Sequence, residues 1–122
     1  MDITKQTETP LKVHPNAETV SLHYILANDN GPTVSFIGEH LTTVSCQHPK
    51  AKSWTEMSGY RSLDGLYIVK TTRLHLSGSV EEVIYETVST FTSAEKMAVR
   101  MGLNRLTSKL FKGMGIDHLS LE

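Results

Sequence analysis

The feature that most constrains this chain is a change of hydrophobic period at Thr92. Upstream, apolar residues tend to recur at every second position, as in a strand with one face on a core. From Thr92 to Lys112 they recur every three to four, as in a helix packed along one side. A chain that alternates first and spirals afterwards has few solutions, and the simplest is an antiparallel sheet with a C-terminal helix laid against it. We therefore expect a single α+β domain over residues 20–122. It is preceded by a polar arm at 1–19, interrupted by Pro10 and Pro15 and without autonomous structure.

The helix is expected over 93–112. Thr92 and Glu95 have the spacing at which each side chain satisfies the other's free backbone amide, and Gly113 suits a left-handed C-terminal cap. At about 100° per residue, Val99, Leu103, Leu106 and Leu110 fall in one narrow sector, which makes them the expected core contact. Met97, Met101 and Phe111 lie in a different sector. They form either an adaptable recognition face or the second side of a helix buried twice.

The sheet is expected from two hairpins, near 20–45 and 66–91. Leu22, Tyr24 and Leu26 alternate, Asn30-Gly31 supplies a hairpin turn, and Val34, Phe36 and Leu41 to Val44 return. Leu66 to Leu76 places Leu66, Ile68, Leu74 and Leu76 on one face and Tyr67, Val69, Arg73 and His75 on the other. Ser77-Gly78-Ser79 turns the chain into Val80–Phe91, whose Val, Ile, Thr, Tyr and Phe favour strand although a helical stripe also fits. Residues 46–65, with Pro49, Gly59 and Gly65, read as a long irregular connection. Ile116, His118, Leu119 and Leu121 read as a short final strand.

Residues 20–30 also fit helical spacing at Leu22, Ile25 and Leu26, and the order would then be α-β-β-β-α. That order, with Ser93 opening the last helix, resembles the double-stranded RNA-binding domain over roughly residues 20–112. The resemblance is architectural. Where that family places lysines at the start of the last helix to meet phosphates, this chain has Ala94 and Glu95 with only Lys96 nearby, so no functional residue is carried over.

Net charge is −1, yet its distribution is uneven: residues 80–92 carry −3 from Glu81, Glu82 and Glu86. The helical segment carries +4 from Lys96, Arg100, Arg105, Lys109 and Lys112 against Glu95. Cys46 is the only cysteine, which excludes an internal disulfide and points to a reducing, cytoplasmic setting. No segment has the roughly 20 apolar residues of a membrane span.

Enzymatic motifs are missing. There is no nucleophile elbow, zinc-protease helix motif, phosphate-cradling loop or dinucleotide fingerprint. Glu81 and Glu82 are adjacent, so on a strand they point to opposite faces. His40, Cys46 and His48 are the only group with metal-ligand chemistry, and without a second cluster they read as a small thiol among surface histidines. No metal or cofactor is expected.

Binding chemistry has more support. Tyr67 and Arg73 share a strand face, Tyr60 and Arg61 precede them, and Arg100, Arg105 and Lys109 add helix cations, a set suited to nucleic acid. Those cations divide into two patches flanking the leucine stripe, as solubilising charges also do. Trp54 is either an anchor for a partner or a lid on the core. The expected function is a non-enzymatic binding module that recognises protein, including a second copy as a homodimer. Nucleic-acid binding is the alternative, and a metal- or thiol-dependent enzyme the third reading.

Overall fold

A computed structural model describes residues 9–11, 21–46 and 50–120. The strands are β1 (Thr9–Leu11), β2 (Ser21–Leu26), β3 (Val34–Ser45), β4 (Ser53–Ser62), β5 (Tyr67–Ser77) and β6 (Val80–Phe91). The helices α1 (Ala94–Met101) and α2 (Arg105–Gly113) follow. The sheet is a meander of order β1-β2-β3-β4-β5-β6, antiparallel throughout. The α+β expectation holds, and both hairpins form. Residues 21–26 are strand, so the α-β-β-β-α order is not adopted. Apart from β1, the arm at 1–19 lies outside the described residues.

The sheet curls until its beginning meets its end. Just past β2, the Asp29 amide donates to Glu86 O (2.7 Å). The Glu86 amide donates to Asp29 Oδ2 (2.6 Å), and the Val88 amide to Asn28 Oδ1 (3.1 Å). This seam gives the sheet an inside and an outside. Inside, Tyr24, Leu26, Tyr60 and Ile68 are buried, with Phe36, Leu22, Leu66 and Val88 around them. Tyr24, Phe36 and Tyr60 contact one another with ring centroids 5.0–5.5 Å apart, in stacked and edge geometries that favour aromatic pairs.

Outside, the two helices cover part of the sheet. Val69, Phe91, Met97, Ala98, Leu110, Phe111 and Met114 form one buried cluster, joined by Leu41, Val44, Met57 and Met101. Two glycines let α2 approach closely. A Cβ on Gly113 would lie 2.7 Å from Thr42 Cβ, and one on Gly59 would lie 2.7 Å from Met114 Cγ. Leu41 is the extra residue of a bulge between His40 and Thr42, where β3 bends beneath α2.

Six expectations need correction. Residues 46–65 contain β4, a central strand that pairs along most of its length with both β3 and β5. The expected helix 93–112 is two helices, because Gly102 adopts φ 83°, a left-handed conformation that ends α1. Asn104 then opens α2 in a reciprocal cap: the Thr107 amide donates to Asn104 Oδ1 (3.0 Å) and the Asn104 amide to Thr107 Oγ1 (2.9 Å). Because the helix breaks, the leucine stripe is not one face. Val99 is 78% and Leu103 58% exposed, whereas Met97 and Leu110 are wholly buried. Among the described residues the final strand does not form: residues 116–120 have no regular structure, although Ile116 and Leu119 pack on the outer cluster, and Leu121 lies outside the described residues. The N-cap is Ser93, one residue beyond Thr92, its hydroxyl accepting from the Lys96 amide (3.1 Å), and the left-handed residue after α2 is Gly115 rather than Gly113.

Candidate functional site

The residues singled out from sequence divide between core and surface. Trp54 and Tyr60 point to the inside of the curl and are buried, 2% and 1% exposed. Trp54 is thus core, though it stands in a strand rather than a loop, and its indole Nε1 is buried without a hydrogen-bond partner among the described residues. Met97 is buried and Met101 packs half-buried on the same cluster, so their face is internal to the fold. Arg100, Arg105 and Lys109 are exposed.

Arg61 and Tyr67 come together on the outside. Their strands pair at this position, the guanidinium carbon lies 4.1 Å above the ring, Arg61 Nη1 donates to Tyr67 Oη (2.9 Å), and Nε donates to Gly65 O (3.3 Å). They line a groove of about 390 Å³ closed by Ser93, Glu95, Asp117 and His118. Its charges are mixed. Glu95 Oε2 accepts from the Ser120 amide (3.2 Å). That bond, with Glu95's own amide and the charge of His118, holds the carboxyl below its usual range. Arg73 stands elsewhere on the outer face, its Nη1 donating to Thr55 Oγ1 (3.0 Å) and its strand position paired with Tyr85. The structure therefore joins Arg61 to Tyr67 but does not gather Arg73, Arg100, Arg105 and Lys109 around them.

The metal candidate does not assemble among the described residues, which hold no group of three histidine, cysteine or acidic side chains fit for an ion. His40 Nε2 bonds to Thr43 Oγ1 (2.9 Å), Cys46 is exposed, and His48 lies outside the described residues. Sequence reasoning missed two histidine–hydroxyl pairs made across strands, His23 Nε2 with Ser35 Oγ (2.8 Å) and His75 Nδ1 with Ser53 Oγ (3.1 Å). The first borders a depression of about 520 Å³ that also takes in Phe36, Ile37, Leu63 and Leu66. A nucleophile needs its base to be oriented by a third group, and no described side chain bonds to the second nitrogen of His23.

Half of the eight exposed large hydrophobic side chains among the described residues lie on a stretch that reads from sequence as an ordinary hairpin. Beyond the seam at Asn28 and Asp29, the β5–β6 hairpin continues as an overhang in which β6 is the last strand of the sheet. Val80 (60% exposed), Val83 (42%), Ile84 (55%) and Tyr85 (43%) lie on it. Val83 pairs with Leu74 on the inner face and Tyr85 with Arg73 on the outer, with an irregularity between them at Ile84, so both faces are apolar. Glu81 and Glu82, both exposed, complete the segment. A second exposed group stands at the elbow between the helices, where Val99 and Leu103 lie among exposed Lys96, Arg100 and Arg105. The available signal for the overhang was length: β6 runs 12 residues, twice the length of the strand that closes on it. No known protein family, curated protein or solved structure matches this chain.

Proposed function

We propose that this chain is a non-enzymatic binding module that recognises protein through the edge of β6 beyond the seam. The observation that carries the reading is the overhang at residues 80–85: an edge strand beyond the seam, bearing four large apolar side chains that are each more than two-fifths exposed. An open strand edge offers backbone donors and acceptors to another chain, and proteins with no use for one usually shorten it, charge it or cover it. Glu81, Glu82 and the irregularity at Ile84 blunt the edge without removing its apolar surface, which suits a selective partner better than indiscriminate pairing.

The nucleic-acid reading has less support, because the cations that would carry it are dispersed and the overhang is acidic. A photo-crosslinking benzophenone amino acid at Tyr85 tests the proposal in cells. A discrete adduct at Tyr85 and none from the same probe at Asp117 is expected. Equal, diffuse labelling from both positions would refute it.

A further inference from the structure

Two exposed patches on this chain are opposite in charge and alike in apolar character. The overhang combines Val80, Val83, Ile84 and Tyr85 with Glu81 and Glu82. The elbow combines Val99 and Leu103 with Lys96, Arg100 and Arg105. Neither patch is covered by the described residues, and both are apolar surfaces rimmed by charge, as protein-binding sites are.

Resting on the interaction reading above, we propose that the occupant of the β6 overhang is a second copy of this chain. The acidic, apolar overhang of each copy meets the basic, apolar helix elbow of the other in a closed two-fold dimer. The obvious alternative for two identical chains is to pair β6 directly with β6. That arrangement gathers four carboxylates, Glu81 and Glu82 from each copy, along one short contact with no cation in residues 80–85 to offset them. Overhang against elbow removes the conflict, because each glutamate pair then faces arginine. Arginine suits this role, since its guanidinium spans a carboxylate with two donors while its stem covers apolar surface. Two-fold symmetry makes the contact twice, once in each direction, so all four patches are covered and no further copy is recruited. Charge on both rims also selects the register, because any slip that brings like patches together is repelled.

Charge reversal with light scattering tests the proposal on the full chain. The wild type is expected at twice 13.6 kDa, with dissociation favoured by salt. Glu81→Lys/Glu82→Lys has two basic patches and Arg100→Glu/Arg105→Glu two acidic ones, so each alone is expected as a monomer, its self-affinity down at least about tenfold. Mixed in equal amounts, the two variants are expected to recover the dimer mass, since each overhang again meets an elbow of opposite charge. All four positions are exposed, and circular dichroism confirms that each variant is folded before it is weighed.

The proposal is overturned if the wild type is monomeric at high micromolar concentration, if either variant alone keeps the dimer mass, or if mixing fails to restore it. Failure here is separable from failure of the interaction reading. A Tyr85 crosslink to a foreign chain leaves that reading standing and removes the second copy, whereas no discrete adduct removes both.

Discussion

Truncating three leucines of the C-terminal segment one at a time separates the two-helix arrangement from a single striped helix. Leucine to alanine removes three carbons, at about 0.8 kcal/mol each when fully buried, or about 2.4 kcal/mol before any cavity is counted. Leu110 is wholly buried in the outer cluster, where the unfilled space raises the expected loss to about 3–4 kcal/mol. Leu106 is half-buried, and about 1–2 kcal/mol follows. Leu103 is 58% exposed, so less than half of the transfer energy is at stake and the loss should stay below about 1 kcal/mol. For a chain of this size, each kcal/mol corresponds to about 3–6 °C in Tm. Leu110→Ala should therefore melt at least about 9 °C lower and Leu103→Ala no more than about 6 °C lower. Urea denaturation gives the free energies directly, provided the slopes of the three variants agree. At concentrations where the chain is monomeric, equal losses at Leu103 and Leu110 would refute the break at Gly102, because they would place both leucines on one buried face of the single chain.

Gly38→Ala should be more damaging than Gly59→Ala. The new Cβ at Gly38 meets backbone, 2.7 Å from Ser62 Cα, whereas at Gly59 it meets the pliable Met114 side chain. About 2–3 kcal/mol against about 1 kcal/mol is expected from chemical melts. Glu95 has a lowered carboxyl pKa in the folded chain, so its contribution is present above the unfolded value near 4.5 and fades as pH falls through the folded one. Glu95→Gln should therefore melt below wild type at neutral pH, with the gap closing in acid; a gap that widens in acid would contradict the Ser120 contact. Trp54, the only tryptophan, should emit as a buried indole and resist iodide until the protein unfolds. Free quenching in the native state would place it outside the curl.

The parts of the fold legible in the sequence are those written in local chemistry. Asn30-Gly31 marked the first hairpin, and alternation from Leu66 to Leu76 assigned both faces of β5 correctly, with Ile68 and Leu74 inward and Tyr67 and Val69 outward. β4 was illegible because its inward positions read Trp54, Glu56, Ser58 and Tyr60, and its outward ones include Met57 and Gly59. Neither face has a hydrophobic period, and the strand exists because β3 and β5 supply ladders on both sides. The helix break was written at Gly102 and Asn104, but the spacing of Val99, Leu103, Leu106 and Leu110 imitates an uninterrupted stripe closely enough to mask it. Among candidate site residues, sequence identified the chemistry of Arg61 and Tyr67 but not the burial of Tyr60 and Met97, which depends on distant chain. The overhang was invisible for the same reason: exposure of Val83 and Ile84 is set by where Asn28 and Asp29 close the sheet.

That seam also sets the order in which the molecule assembles and comes apart. Each strand pairs with its neighbour in the chain, so the meander grows hairpin by hairpin through short loop closures. Contacts from Asn28 and Asp29 to Val88 and Glu86, across 60 and 57 residues, enclose a far longer loop and form after it. Two of its three hydrogen bonds run to side chains, so the seam can part without breaking a strand ladder. Amide exchange at Glu86 and Val88 should therefore outpace that in the centre of β4 and β5. The curl opens toward its aromatic interior well below the energy of global unfolding, as a clasp does on a band that stays whole.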